Sequence, residues 1–209
     1  MADLFTLSAA DLAALLCSRV CHDIISPVGA INNGLELLDE GGADEDAMNL
    51  IRASARNASA RLQFARIAFG AAGSAGMLID TGDAESVAHS FMKGEKPEFI
   101  WNGKRALLPK NKVKLLLNLI LVANAAIPRG GKIVVTLEDL ETHPRFRLAS
   151  SGPMLRVPAK FLELHSGAKP EEAIDAHAVQ PYYTLLLARE AGMTVSIHAT
   201  PEEVALSAE

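Results

Sequence analysis

Between residues 8 and 39, small or apolar side chains recur at Ala13, Cys17, Val20, Ile24, Pro27 with Val28, Ile31, Leu35 and Leu38. Alternating steps of three and four place them along one side of a helix, the seam by which a helix packs on other helices. Ser8-Ala9-Ala10-Asp11 opens this helix with a capping pattern, a serine followed three residues on by an acid, and Glu40-Gly41-Gly42 closes it. A second seam runs through Met48, Ile51, Ala55, Ala58, Leu62, Ala65 and Phe69, with Gly70 and Gly73 punctuating its end. Two long helices joined by a short Gly-Gly link predict an antiparallel hairpin. A lone hairpin buries too little apolar surface to be stable. Either the rest of the chain covers it, or two copies pair into a four-helix bundle, the commoner solution for this layout.

From about Thr81 the texture changes. Glu98-Phe99-Ile100-Trp101 and Lys132 to Leu137 read as strands, the second entered through Gly130-Gly131. Between them Pro109 opens a helix, Lys112 to Ile127, that is apolar on nearly every side at Leu115, Leu116, Leu117, Leu119, Ile120, Leu121 and Val122. Arg145 to Leu148 pairs with the preceding strand as a hairpin. A loop-rich stretch, a helix near Tyr182 to Glu190, and strands at Met193 to Ile197 and Val204 to Leu206 complete the chain. The order predicts an α+β sandwich, one sheet with helices on one face. The domains expected are therefore a helical hairpin at 1–76 and a mixed domain at 77–209.

Composition narrows the function classes. The net charge of -5 and pI near 5.7 argue against nucleic acid or an anionic membrane as partner. No apolar run is expected to span a membrane, and the N-terminus lacks the basic-then-apolar layout of a signal peptide. Cys17 and Cys21 lie one turn apart on one helix, where a disulfide would brace nothing, so a reducing cytoplasm is expected.

The polar residues inside the first helix carry the chemistry. At about 100° per residue, Ala13, Val20, Ile24, Ile31 and Leu35 fall within roughly 80° to 140° of Leu12, while His22 falls near 280°. Ser18, Ser26, Gly29 and Asn33 share its side, with Arg19 and Asp23 at one edge. The histidine is thus expected on an outer face ringed by small residues, open to a docking macromolecule. A solvated surface histidine is one reading. The other is a nucleophile: a neutral imidazole can attack phosphorus and form a labile phosphoramidate, with Asp23 stabilising the imidazolium that develops. Pro27, costing roughly 3 kcal/mol inside a helix, is expected to bend it just past the histidine. A metal cluster of Cys17, Cys21 and His22 is disfavoured because Cys17 follows the seam and His22 points away from it. Lys110, Lys112 and Lys114 read as a solvated helix start, or as a contact for a partner. His89, His143, His165, His177 and His198 have no comparable neighbours in sequence, and Trp101 and Asn118 read as structural.

His22-Asp23-Ile24-Ile25-Ser26-Pro27-Val28 resembles the H-box of bacterial histidine kinases, in which the hairpin dimerises and its histidine is phosphorylated. Leu116 to Ile120 and Pro128 to Val135 resemble the first helix and following strand of the Bergerat-type ATP-binding sandwich of those kinases. With Asn118 and Gly130-Gly131 in register, the Mg²⁺-binding asparagine of that family falls on Val122; Asn124 fits only by a shift of two residues. The adenine motif falls on Ser150-Ser151-Gly152-Pro153-Met154, where serine replaces the aspartate and methionine the second glycine. The glycine-rich lid becomes Ala176-His177-Ala178-Val179-Gln180-Pro181, without glycine. A hard cation lacks its oxygen ligand and the backbone cannot close on a triphosphate, so a degenerate sandwich without ATP is expected.

An H-box hairpin fused to such a domain resembles the dimeric histidine phosphotransferases of the alphaproteobacterial cell-cycle phosphorelay. The resemblance rests on Arg19, Cys21-His22-Asp23, Ser26 to Gly29, Asn33-Gly34 and the Tyr182-Tyr183 helix. It implies phosphorylation of His22 with help from Asp23, by a receiver-domain aspartate of a hybrid kinase, and transfer onward to response regulators. It implies partner contacts at Ser18, Arg19, Ile25, Ser26, Gly29 and Asn33, Mg²⁺ supplied by the partner, and no cofactor or metal bound by this chain. An ATP-using kinase with an unusual site, and a dimeric adaptor that binds receivers without accepting phosphate, remain the rivals.

Overall fold

The computed structural model describes residues 5–40, 45–70, 77–167 and 173–209. Helix α1 (Ala9–Asp39) and helix α2 (Glu45–Ala68) pack against each other as a hairpin. The expected Gly41-Gly42 link, Gly73 and the domain boundary at residue 76 lie outside the described residues. At the start of α1 the Ser8 hydroxyl accepts from the Asp11 N–H at 3.1 Å and donates to the Asp11 carboxylate at 2.7 Å. Pro27 sits inside α1, which continues through it to Asp39.

Within one chain the seam closes along one edge only. Gly34 is the buried residue of α1, and a Cβ built there would lie 2.6 Å from Ile51 Cγ1 and 3.4 Å from the Ala47 carbonyl. Ala13, Cys17, Val28 and Leu35 of α1 are exposed, as are Met48, Ala55 and Leu62 of α2. The physical reason is width. Each apolar stripe is broader than one partner helix covers, so one edge closes the hairpin and the other stays open. The same stripe corrects the reading of run length alone: by length and composition α1 is apolar enough to cross a membrane, and almost none of it is buried.

The rest of the chain is β1 (Leu78–Asp80), α3 (Thr81–Met92), β2 (Glu98–Asn102), β3 (Leu107–Pro109), α4 (Lys110–Ala126), β4 (Lys132–Glu138), β5 (Arg145–Ser151), α5 (Ala159–His165), α6 (Val179–Ala191), β6 (Val195–Ala199) and β7 (Val204–Ala208). Five strands form a sheet in the order β2-β4-β5-β7-β6, parallel only between β2 and β4. Those two are joined through α4, so the sheet is mixed. Alternation along β4 buries Ile133, Val135 and Leu137, and Phe146, Leu148 and Leu206 join them in the core with α4. Gly131 enters β4 at φ +134°, and a Cβ there would meet the Ser151 carbonyl, so the turn takes only glycine. The elements β1, α3, β3 and α5 are additions to the sequence reading. Helix α3 had a readable start, since the Asp80 carboxylate accepts from the Gly82 N–H at 2.8 Å. That bond, and Arg105 behind it, hold the Asp80 carboxyl below its usual range.

Hairpin and sandwich share one core. Phe64, Ile67 and Ala68 of α2 pack with Phe91 of α3 and the apolar face of α4. The Asn118 amide donates to the Ala68 carbonyl at 3.1 Å, Arg61 pairs with Glu95 at 2.6 Å, and the Leu7 N–H donates to the Tyr182 hydroxyl at 3.1 Å. The second domain is therefore clamped along the flank of α2 and the entry to α1.

Gly34→Val is expected to destabilise the fold by about 1–3 kcal/mol, because the new methyls displace Ile51 in a helix contact that has no slack. Gly29→Ala, whose Cβ meets nothing within 4 Å, is expected to gain about 0.5–1 kcal/mol. Urea denaturation of both variants checks the pair.

Candidate functional site

His22 projects from the middle of α1 with 70% of its side chain exposed. Its Nδ1 lies 3.7 Å from Asp23 Oδ1, too long for a hydrogen bond and close enough for electrostatic stabilisation. The other oxygen, Oδ2, accepts from Arg19 Nε at 2.9 Å across one helical turn. Arg19, expected to reach toward a partner, orients Asp23 through its Nε. The carboxylate faces Nδ1 and leaves Nε2 as the nitrogen free to attack.

The ring opens onto a groove of about 500 Å³ between the two helices, lined by Asp23, Ser26, Pro27 and Ala30 of α1 and by Ala53, Ser54, Asn57 and Arg61 of α2. Arg61 is fixed there by the Asn57 side chain at 2.7 Å and by Glu95. Ser18, Ser26 and Asn33 are exposed, Gly29 leaves open space, and Ile25 stands 69% exposed beside the histidine. The arrangement presents an unhindered imidazole with one nitrogen backed by a carboxylate, at the mouth of a shallow polar groove. It suits attack on an electrophile carried by another macromolecule.

One residue the sequence reading passed over stands here. His177 lies just before α6 and meets His22 edge to face, ring centroids 5.6 Å apart and planes at 78°. Nothing local in the sequence marks it. Only the fold brings the two histidines together.

The positions that would hold nucleotide in a kinase are occupied internally. Val122 is in the core. Asn118 is buried, donating to Ala68 and Lys114 carbonyls while its own carbonyl and side-chain oxygens accept from Gln180 Nε2. Asn124 donates to Glu95 at 3.0 Å. Ser150 is fully buried, its hydroxyl donating to the Ala123 carbonyl at 3.3 Å. The lid segment Ala176 to Pro181 runs directly into α6, which buries Val179, Gln180 and Pro181.

Lys114 corrects the expectation of a solvated helix start. It is buried, and its ammonium donates to the Tyr183 hydroxyl at 3.2 Å. Burial, with the Lys110 charge added, lowers its pKa, and burial raises that of Tyr183 to about 12. In the unfolded chain Tyr183 ionises near pH 10. Up to that pH it does not affect stability; from about pH 10 to 12 the unfolded chain loses the proton first, and stability falls. Lys114 acts in the opposite sense, since the penalty on its charged form disappears as pH rises. Tyr183→Phe is expected to lose about 1.5–3 kcal/mol near pH 8, where the ammonium is left without its acceptor. The gap to the parent protein should narrow between pH 10 and 12, as read by denaturation at each pH.

Known proteins match the chain along nearly its whole length. A family model described as the histidine phosphotransferase C-terminal domain matches residues 81–203. The protein phosphotransferase ChpT of Brucella abortus (strain 2308) is 74% identical over 204 residues, 98% of each chain. A solved structure of a bacterial phosphotransferase superposes with a TM-score of 0.93 at 72% identity, again over 98% of each chain.

Proposed function

The chain belongs to the histidine phosphotransferase family and is a protein phosphotransferase of a phosphorelay, and we propose that His22 is the residue through which the phosphoryl group passes. The observation that carries this reading is the exposed imidazole whose Nδ1 faces a carboxylate already held by Arg19. The donor is a receiver-domain aspartyl phosphate of a hybrid histidine kinase, and the acceptors are response regulators of a cell-cycle relay. His22 Nε2 attacks phosphorus in line, and the acyl phosphate P–O bond breaks to return the aspartate carboxylate. The ring then carries positive charge beside Asp23, which stabilises it. The partner's acidic pocket supplies Mg²⁺; this chain contributes position and charge, the main requirements of phosphoryl transfer. Ser18, Ser26, Gly29 and Asn33 leave room for the partner, and Ile25 gives it an apolar contact. Transfer is reversible and independent of ATP.

A second copy of the chain covers the open apolar stripe. Val28 and Leu35 of α1 and Met48 and Leu62 of α2 are exposed, and two such hairpins close into a four-helix bundle. The stripe lies roughly 140° around α1 from His22, so dimerisation leaves the histidine free. The site of action is the cytoplasm, where the two free cysteines stay reduced.

His22→Ala is expected to abolish labelling by phosphorylated receiver domains, and Asp23→Asn to slow it about 100-fold by misplacing the imidazole and removing its charge partner. Acid-labile label retained by His22→Ala, or autophosphorylation of the chain with radiolabelled ATP, sinks this reading. Sedimentation is expected to give about twice the chain mass, and Leu62→Glu, which puts a charge into the stripe, is expected to sediment as a monomer.

A further inference from the structure

We propose that His177 is a second catalytic residue of the transfer at His22, donating an imidazole hydrogen bond to the phosphoryl group as it moves on and off the His22 ring. The proposal rests on the reading of His22 as the acceptor. Charge sets the need. A phosphoryl group brings up to two negative charges to a surface where Asp23 already contributes one. Asp23 helps the imidazolium through Nδ1, but it repels the phosphoryl oxygens. A donor is therefore wanted on another side of the ring.

The cations nearby each have a carboxylate partner: Arg19 Nε bonds Asp23 at 2.9 Å, and Arg61 bonds Asn57 at 2.7 Å and Glu95 at 2.6 Å. His177 is differently placed. Its ring packs edge to face on that of His22, and its side-chain nitrogens make no hydrogen bond to any described residue, only its backbone N–H being held. The segment that carries it is firmly anchored. Asp175 Oδ1 accepts from the Ala178 N–H at 2.7 Å and the His177 N–H at 2.9 Å, and those bonds, with the His177 imidazole close by, depress the Asp175 carboxyl pKa. Ala178 and Val179 are buried behind it. A ring whose N–H makes no hydrogen bond to any described residue, held beside the nucleophile by the segment before α6, has the geometry of a preorganised charge stabiliser.

The step balances without a proton leaving His177. The lone pair of His22 Nε2 forms the N–P bond, and the electron pair of the broken P–O bond leaves with the partner's carboxylate. His177 supplies only a hydrogen bond, and neutral imidazole retains one N–H for it.

The test uses the full chain and any receiver domain carrying radiolabelled aspartyl phosphate that labels the parent protein. The rate of His22 labelling is followed against receiver concentration. His177→Ala is expected to lower the maximal rate about 100-fold with the half-saturating concentration and thermal midpoint unchanged. His177→Asn, which keeps an N–H donor, should recover part of the loss. A maximal rate unchanged in His177→Ala overturns the proposal, as does an effect confined to the half-saturating concentration, which makes His177 a docking contact only. The His22→Ala control separates the two claims: label that persists there, or no receiver that labels the parent, removes the acceptor itself. Normal His22 labelling in His177→Ala removes only its neighbour's role.

Discussion

Helix α1 has one circumference and three demands on it. One direction closes on α2 through Gly34; another carries the exposed Val28 and Leu35; the third presents His22. At 3.6 residues per turn these directions are set by spacing alone, and a shift of one residue would turn His22 by about 100°. The small residues follow from the same division. Gly34 lets the two backbones approach at Ile51, while Gly29 and Ser26 keep the reactive side unobstructed. The hairpin fixes where the histidine points, and the sandwich fixes what stands beside it.

The second domain acts on the first through a few polar bonds laid over a common core. Asn118 reaches the end of α2, Glu95 holds Arg61 at the groove, and Tyr182 receives the N–H of Leu7 before α1 begins. These clamps place the segment before α6 against the reactive face. The sandwich therefore serves as a scaffold for the reactive helix.

The period of the apolar positions made both hairpin helices legible, and Pro109, Gly130-Gly131 and the alternation at Ile133, Val135 and Leu137 made α4 and β4 legible. The exposed setting of His22 followed from the angle count. What stayed hidden depends on distance in sequence. Which edge of a broad stripe meets α2 is decided by Ile51 and Ala47 across the hairpin, which periodicity does not register. Lys114 looks solvated until Tyr183 arrives from α6. The place of His177 beside His22 is a tertiary fact with no local trace. Helix α3 was missed for a simpler reason: its buried side, Thr81, Ala84, Val87, Ala88, Phe91 and Met92, mixes small and polar residues with the apolar ones, a faint signal beside the leucines of α4.

The buried hydroxyl of Ser150 limits what this position can hold. It stands where the resemblance to kinases calls for an aspartate, yet it has no solvent access and points its proton at the Ala123 carbonyl. An aspartate at this one position would bury a carboxylate facing a carbonyl oxygen, at a cost of several kcal/mol unless the carboxylate took up a proton. The close packing around Ser150 and the neighbouring core thus makes this position intolerant of charge, whatever the rest of the domain does.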